Sequence, residues 1–519
     1  VSNTKPPIDL GADTDLLFDL IDVWEKRRPM NVKRSVYYDG EKALKDFGIS
    51  LPPQMRYKVG AALGWIGKGT KALTNRSAFE RFVTASGEDD PLGLEEILWT
   101  NQFATEFPAA CISSAMHGCS FLTVSHGDLE AGEPDVLVLA RAAEESAAIW
   151  DKRRRALKGF LSIVETKDKQ PTVMVLYTPF MVYELEKLGG RWYVTEIPHS
   201  LGEVPAYPLV HDYELRRPLG HSRITRPAMY FADAALRTIV RSEVSAELYA
   251  APEYWLFGSD VKAFIGNDRW TALMGRIKAI DVDVDADEKF PQIQRFTGAS
   301  PQPHTEQLRM FASQFADEMD LDVRFADSAN PSSAEAIFAA KESLITGTKN
   351  VNTLWGYGAM RAMNAAVRLR DGLDTDTDEM RTLRAQFTDP VLVSPSARAD
   401  AFSKFASNVP GFAETEVGLE YGGLTAEQIT RFKSEQRRKG TTLLTQRLAT
   451  AGAAPAADDQ SASDEALKQA QIAKAQADAL GAYRRAGVVE SRAAQLAGIE
   501  GDVEFIPGAP ITIRAPEAE

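Results

Sequence analysis

The sequence predicts an α+β chain, because its helices and its strands lie in separate blocks rather than in alternation. Three observations carry that reading. Helix-spaced apolar residues run through 14–119. Short β-rich runs, bounded by Gly, Pro or charged turns, crowd into 120–210. From 224 onward the helical period returns.

The first helix is expected over 14–28. Leu16, Leu17, Leu20, Ile21 and Trp24 share one stripe there, and Lys26, Arg27 and Arg28 suit the negative end of its dipole ahead of Pro29. Tyr37-Tyr38-Asp39-Gly40 reads as a turn. A second helix is expected over 75–86, with Phe79, Phe82 and Val83, and a third over 94–119, kinked or broken at Pro108. Strands are expected at 121–124, 136–139, 159–164, 172–177, 181–186 and 192–196, as one antiparallel meander. Thr225 then caps a helix with Pro227 in its first turn, uninterrupted by Gly or Pro until Pro252.

Residues 251–302 read as a compact insert, with a short helix at 268–278 and strands at 279–284 and 292–297. Leu308, Phe311, Ala312, Phe315 and Met319 mark one face of a helix at 304–319. A polar, Asp-rich loop spans 320–331. Ser332 and Glu335 then form a capping box for a long helix reaching Asp371, with Gly347, Gly356 and Gly358 as candidate kinks. Residues 379–440 are mostly helical with Pro breaks. A low-complexity linker at 450–465, a short helix at 464–497 and a Pro-rich end follow.

Composition narrows the function. The formal charge is −14 over 519 residues, whereas a chain that grips nucleic acid by its phosphates carries excess Lys and Arg. The acidity fits either no DNA contact or a surface over which DNA slides without sticking. Only Cys111 and Cys119 occur, so no disulfide framework is expected, in keeping with assembly in a reducing cytoplasm. Neither a signal-like N-terminus nor an unbroken apolar run of membrane-spanning length is present, so neither secretion nor membrane insertion is expected.

The chemical motifs mostly fail on spacing. Gly64-Trp65-Ile66-Gly67-Lys68-Gly69-Thr70 is Gly-rich but misses the phosphate-loop pattern, and reads as a flexible connection between helices. Gly220-His221-Ser222-Arg223-Ile224 lacks the last glycine of a nucleophile elbow, leaving Ser222 as a capping or turn serine. Cys111, His117 and Cys119 are too few and wrongly spaced for structural zinc, and read as buried thiols on a helix and an adjoining strand. Asp281, Asp283, Asp285 and Asp287 begin like a calcium loop. Ala286 and Gln292 stand where Gly and Glu are needed, so a strand with Ile280, Val282 and Val284 inward fits better. Asp374, Asp376 and Asp378 fail the same test. No catalytic residue, metal site or cofactor is expected; the reading is of a non-enzyme.

The order of several short motifs is similar to the portal family of tailed bacteriophages, in the type found in actinobacterial phages. The matching stretches include Tyr37-Tyr38-Asp39-Gly40, Gly118-Cys119-Ser120-Phe121-Leu122-Thr123-Val124, Gly202-Glu203-Val204-Pro205-Ala206 and Arg217-Pro218-Leu219-Gly220-His221-Ser222-Arg223-Ile224. Further on come Asn330-Pro331-Ser332-Ser333-Ala334-Glu335-Ala336-Ile337, Asp389-Pro390, Ala482-Tyr483-Arg484-Arg485-Ala486-Gly487 and Pro507-Gly508-Ala509-Pro510. Each is weak alone; their order and spacing across nearly the whole chain carry the resemblance.

The resemblance implies an α+β portal-type subunit. Its wing, helices plus antiparallel sheet, would be 1–223, its stem helices 224–250 and 303–319, and its small α/β clip 251–302. A tunnel loop at 320–331, a long kinked wing helix at 332–378, crown helices at 379–440 and a linker and crown tail at 441–519 would complete it. It also implies a ring of about twelve subunits at a capsid vertex of the virion, assembled in the host cytoplasm, through which double-stranded DNA is packaged and ejected. Its expected partners are the terminase large subunit, a head–tail adaptor, the major capsid protein and scaffold, with no membrane. The alternative is another head–tail connector or capsid structural protein. Candidate DNA-channel contacts are Arg237 and Arg241 on the first stem helix, Arg309 on the second, and Arg324, Asp327 and Asn330 in the loop.

Overall fold

A computed structural model describes residues 7–41, 62–87, 90–168, 170–249, 253–257, 277–280, 292–296, 302–321, 334–391 and 395–451. By contacts the chain divides into two units, 1–394 and 395–519.

In the first unit, helix α1 (Thr14–Tyr38) buries Leu17, Leu20, Ile21 and Trp24. It does not stop at Pro29, contrary to the sequence expectation. Pro29 lies on the solvent face, as does Glu25, whose carbonyl loses its amide partner to the proline ring. Side chains then hold the helix to the turn at 143–145: Trp24 Nε1 donates to the Glu144 carbonyl (3.0 Å), Asn31 Nδ2 to the Ala143 carbonyl (2.8 Å) and Ser35 Oγ to Glu144 Oε2 (2.6 Å). Tyr37 and Tyr38 therefore end a helix, and only Asp39 and Gly40 turn.

Helix α2 (Trp65–Thr74) replaces the flexible connection expected there. Its glycines serve close packing: a Cβ at Gly67 would stand 2.7 Å from the Tyr38 carbonyl, and one at Gly69 2.7 Å from Met319 Cε. The helix expected over 75–86 is instead strand β1 (Phe79–Val83). Helices α3 (Leu94–Thr100) and α4 (Phe103–His117) divide at Asn101-Gln102, where Gln102 takes φ +50°, and not at Pro108, which sits exposed within α4.

Strands β2 (Cys119–His126) and β3 (Val136–Ala142) form a hairpin. β4 (Ser146–Asp151), β5 (Ala156–Lys167), β6 (Gln170–Tyr177), β7 (Met181–Leu188) and β8 (Arg191–Pro198) make a five-stranded antiparallel meander in sequence order. β9 (Ala206–Val210) pairs with β2, giving a second sheet of order β3-β2-β9. The single expected meander is thus two sheets, and β4 and β9 were not anticipated. β4 opens with Ser146-Ala147-Ala148 and β9 carries Pro208, so both are weak as strand signals. Leu17, Leu20, Ile21 and Trp24 of α1 pack on Leu161, Ile163, Met174, Leu176 and Leu185 of the five-stranded sheet.

Helix α5 (Arg226–Tyr249) follows, with the Ala228 amide donating to Thr225 Oγ1 (3.1 Å) as the cap rule requires. Next come β10 (Glu253–Phe257), β11 (Ile277–Ile280) and β12 (Gln292–Phe296), in the order β11-β10-β12, with β10 parallel to β11 and antiparallel to β12. Ile277 and Lys278 therefore belong to a strand rather than to the end of a helix; 268–276 and 281–291 lie outside the described residues. Helix α6 (Gln302–Glu318) and helix α7 (Ala334–Asp371) complete the framework, followed by α8 (Asp378–Thr382) and β13 (Arg384–Phe387).

β13 lies antiparallel to β1, Phe79 opposite Phe387. Phe79, Phe82, Phe103, Phe107 and Phe387 stack around this pair with ring centroids 5.0–6.1 Å apart. α7 runs as one helix through Gly347, Gly356 and Gly358, the candidate kink positions, without interruption at any of them. A Cβ at Gly358 would meet the Pro208 carbonyl at 2.5 Å, so this glycine lets α7 lie against β9. Trp355, fully buried, donates from Nε1 to Ser114 Oγ (2.9 Å) and ties α7 to α4.

The second unit holds α9 (Pro395–Asn408), α10 (Glu416–Tyr421) and α11 (Ala426–Ala451), as the helical expectation for this region has it apart from the strand β13 before it. Phe402, Phe405, Phe412 and Tyr421 form its aromatic cluster. The linker at 450–465 and the helix at 464–497 fall outside the described residues, save for the linker's first two positions, 450 and 451, where α11 ends.

Candidate functional site

α5 and α6 pack side by side and antiparallel: Thr225, just ahead of α5, donates from Oγ1 to Glu318 Oε1 at the end of α6 (2.5 Å). The apolar seam is Ile224, Ala228, Met229 and Ala232 against Phe315 and Met319, closed beneath by Tyr37 and Ile66. Alanines on α5 let the two axes approach, and Trp65 packs on Phe315 with centroids 5.4 Å apart and planes tilted by 42°. The expected face of α6 holds: Phe315 and Met319 are buried, while Leu308, Phe311 and Ala312 are half-buried.

The base of this helical hairpin is held by polar contacts that the motifs did not reveal. Arg223, with a side chain only 9% exposed, donates from Nε to the Gly69 carbonyl (3.2 Å) and from NH2 to the Met319 carbonyl (2.5 Å). Its NH1 lies 4.0 Å from Asp320 Oδ2. Burial pushes the Arg223 guanidinium pKa down, and the Asp320 charge pulls it back up. Asp320 ends α6 in the left-handed region (φ +48°) and accepts from Ser343 Oγ of α7 (2.5 Å). One arginine thus joins α2, the end of α6 and, through Asp320, α7. Ser222 acts as the turn serine expected, donating from Oγ to the Met116 carbonyl (2.5 Å) and accepting from the Ile224 amide (2.9 Å).

Of the sequence candidates, Arg237 and Arg241 stand one turn apart on α5, Arg237 half-buried and Arg241 exposed. Arg309 is exposed on α6. Arg324, Asp327 and Asn330 lie outside the described residues, as does the capping box at Ser332. Arg237 acts electrostatically on Tyr37, whose hydroxyl donates to Asp233 Oδ2 (2.7 Å); burial first, then Asp233, raises the Tyr37 pKa. α5 carries three arginines against three carboxylates, and α6 one arginine against three. The hairpin therefore has no net positive charge with which to grip a polyanion.

Among the described residues, the reactive groups that the motifs suggested are not brought together. Cys111 and Cys119 are buried, and burial pushes the Cys111 thiol well up and the Cys119 thiol up to about 12. Among the described residues no three His, Cys, Asp or Glu side chains are placed to hold a metal ion. Asp376 lies 3.8 Å from Arg368, and Thr377 caps α8. Nor is any described helix long and apolar enough to cross a membrane.

The described elements thus form a braced helical hairpin, α5 and α6, interrupted by a small sheet. The family model described as phage portal protein, SPP1 Gp6-like, matches residues 17–441, and the chain belongs to that family. Its proteins are structural, non-catalytic components. The chain is 27% identical to the portal protein of Mycobacterium phage L5 over 446 residues, covering 82% of this chain and 89% of that one. It is 28% identical to the portal protein of Mycobacterium phage D29, with 82% and 90% covered. Among solved structures, a chain of the virion of a native gene transfer agent particle aligns with a TM-score of 0.37 at 13% identity, covering 73% of this chain and 94% of that one. A chain from the neck of that particle, computed with C12 symmetry, gives 0.37 at 12% identity, with 74% and 94% covered.

Proposed function

We propose that this chain forms a closed ring, of twelve subunits, at one vertex of a phage capsid, and that double-stranded DNA enters and leaves through its bore. The observation that carries the reading is the family match, which spans 17–441 and so takes in both antiparallel helices, the strands between them and α7. In this reading α5 and α6 are the stem and 251–302 the clip, where the terminase large subunit and later the head–tail adaptor dock. Residues 320–331 are the tunnel loop, 332–378 the long wing helix, 1–223 the wing, and 379–519 the crown. The capsid protein and scaffold hold the ring in the shell, and assembly takes place in the host cytoplasm.

The bore is repellent rather than adhesive. A ring of such chains multiplies a formal charge of −14 by its subunit number. DNA then meets only scattered cations, with Arg241, Arg309 and Arg324 offering brief, sequence-blind phosphate contacts. The test is electron microscopy of the purified chain followed by packaging assays. Rings with a central hole wide enough for a duplex are expected, and compact monomers at assembly concentrations overturn the reading. Arg324→Glu is expected to alter packaging or DNA retention while rings still form; unchanged packaging removes Arg324 from the bore.

A further inference from the structure

Two charge clusters of opposite sign in the first unit have no direct ion-pair partner among the described residues. The first is basic. Arg34 of α1 reaches the carboxyl end of α4, where NH1 donates to the His117 carbonyl (2.9 Å), while its buried Nε has no hydrogen-bond partner. The charges that act on Arg34 include Arg27, two helical turns earlier on α1, and Arg217, from the 211–221 loop that closes over Gly118. Among the described residues no carboxylate pairs directly with any of the three. Glu214 of the same loop lies 2.9 Å from His221 Nε2, and Arg217 NH1 lies 3.2 Å from His221 Nδ1, so Glu214 reaches Arg217 only through the imidazole and leaves Arg27 and Arg34 unmatched.

The second cluster is acidic. The 127–135 loop between β2 and β3 carries Asp128, Glu130, Glu133 and Asp135 without a single Lys or Arg, and Glu184 of β7 feels the charges of Glu133 and Asp128. The clusters sit at opposite ends of β2: the basic one beside His117 and Cys119, the acidic one beyond His126. Seven residue steps of strand place them about 23 Å apart, beyond the ~8 Å screening length of physiological salt, so neither neutralises the other within one chain. The loop that contributes to each cluster also carries an exposed apolar side chain, Leu215 at 87% beside the basic one and Leu129 at 67% in the acidic one. An apolar contact rimmed by complementary charge is the anatomy of a specific interface.

We propose that copies of this chain meet head to tail, the acidic 127–135 loop of one seated on the basic site of Arg27, Arg34 and Arg217 of the next. A self-complementary pair of distinct patches makes a heterologous contact, the kind that generates rings when the rotation closes. The inference rests on the ring reading and names its interface. A second copy is the occupant that the geometry favours over DNA. A carboxylate on a flexible stem can reach a half-buried guanidinium, whereas a phosphate on the rigid surface of a duplex cannot.

The experiment is a charge swap read by analytical ultracentrifugation and negative-stain microscopy of the full chain. Arg27→Glu with Arg217→Glu, and separately Glu130→Arg with Glu184→Arg, change exposed side chains, and circular dichroism checks that both variants fold. Each variant alone is expected to lose assembled rings by about tenfold or more, and an equimolar mixture to recover them as mixed rings. Full assembly of either variant alone, or failure of the mixture to recover, overturns the inference. Assembly unchanged but weaker binding of a short fluorescent duplex by the arginine variant also overturns it, and assigns the basic site to DNA. If the wild-type chain itself forms no ring, the ring reading fails first, and this interface with it.

Discussion

Arg223 shows how much one buried cation can carry. Its guanidinium satisfies two carbonyls on different helices and stands beside Asp320, so truncation leaves both carbonyls and a carboxylate without it. Arg223→Ala is expected to lower stability by about 3 kcal/mol in chemical denaturation, with Arg223→Lys recovering only part, since one ammonium cannot span the same fork. His117 gives the pH counterpart. Burial, reinforced by the Arg34 charge, lowers its pKa from 6.5 to about 4. The folded state holds the ring neutral, so its contribution is complete above pH ~6.5 and is lost as the pH falls through ~4. The urea midpoint is expected to fall across that window, and His117→Leu to flatten the fall. Neither role is written in the sequence: Arg223 and His117 look like any surface cation and any lone histidine until the chain brings Gly69, Met319 and Arg34 to them.

At the scale of elements, what was legible were the periods and what was not were the partners. α5 and α6 followed from a cap and an apolar stripe, because those signals are local; the helix expected up to Asp371 is present as α7, while its capping serine lies outside the described residues. Phe79, Phe82 and Val83 fit a helical spacing, yet they form a strand because β13 lies alongside from 300 residues downstream. Glycine misled in a similar way. In α2 and α7 it was read as freedom, whereas Gly67, Gly69 and Gly358 mark places where another chain segment comes too near for a methyl group. That distinction is measurable. Gly358→Ala is expected to destabilise by about 1–3 kcal/mol through its clash with the Pro208 carbonyl. Gly347→Ala, where nothing lies within 4 Å, is expected to stabilise by about 0.5–1 kcal/mol. Equal effects at the two sites in thermal unfolding would remove close packing as the reason for Gly358.

At the scale of the whole molecule the acid balance predicts weak attraction for DNA. The described hairpin is as free of excess positive charge as the chain, so assembled protein is expected to bind duplex weakly at physiological salt, in a fluorescence anisotropy titration. Glu306→Lys with Asp317→Lys on α6 is expected to raise that affinity at least tenfold, with a steeper salt dependence and slower packaging. Unchanged affinity would place α6 away from the DNA. The candidate site was only half legible: the arginines of α5 and α6 could be named from the sequence, but the uncompensated clusters at the two ends of β2 could not. Their residues are scattered from 27 to 217, and only the tertiary fold shows which charges lack a direct ion-pair partner.

The pairing of Phe79 with Phe387 also bears on how the chain is made. At about 10 residues per second a ribosome needs roughly half a minute to pass from one strand to the other. Through that interval the N-terminal phenylalanines have no β13 to close over them, and a chain cut short before 384 never acquires it. Nascent chains thus lack this clasp until the ribosome has passed residue 387.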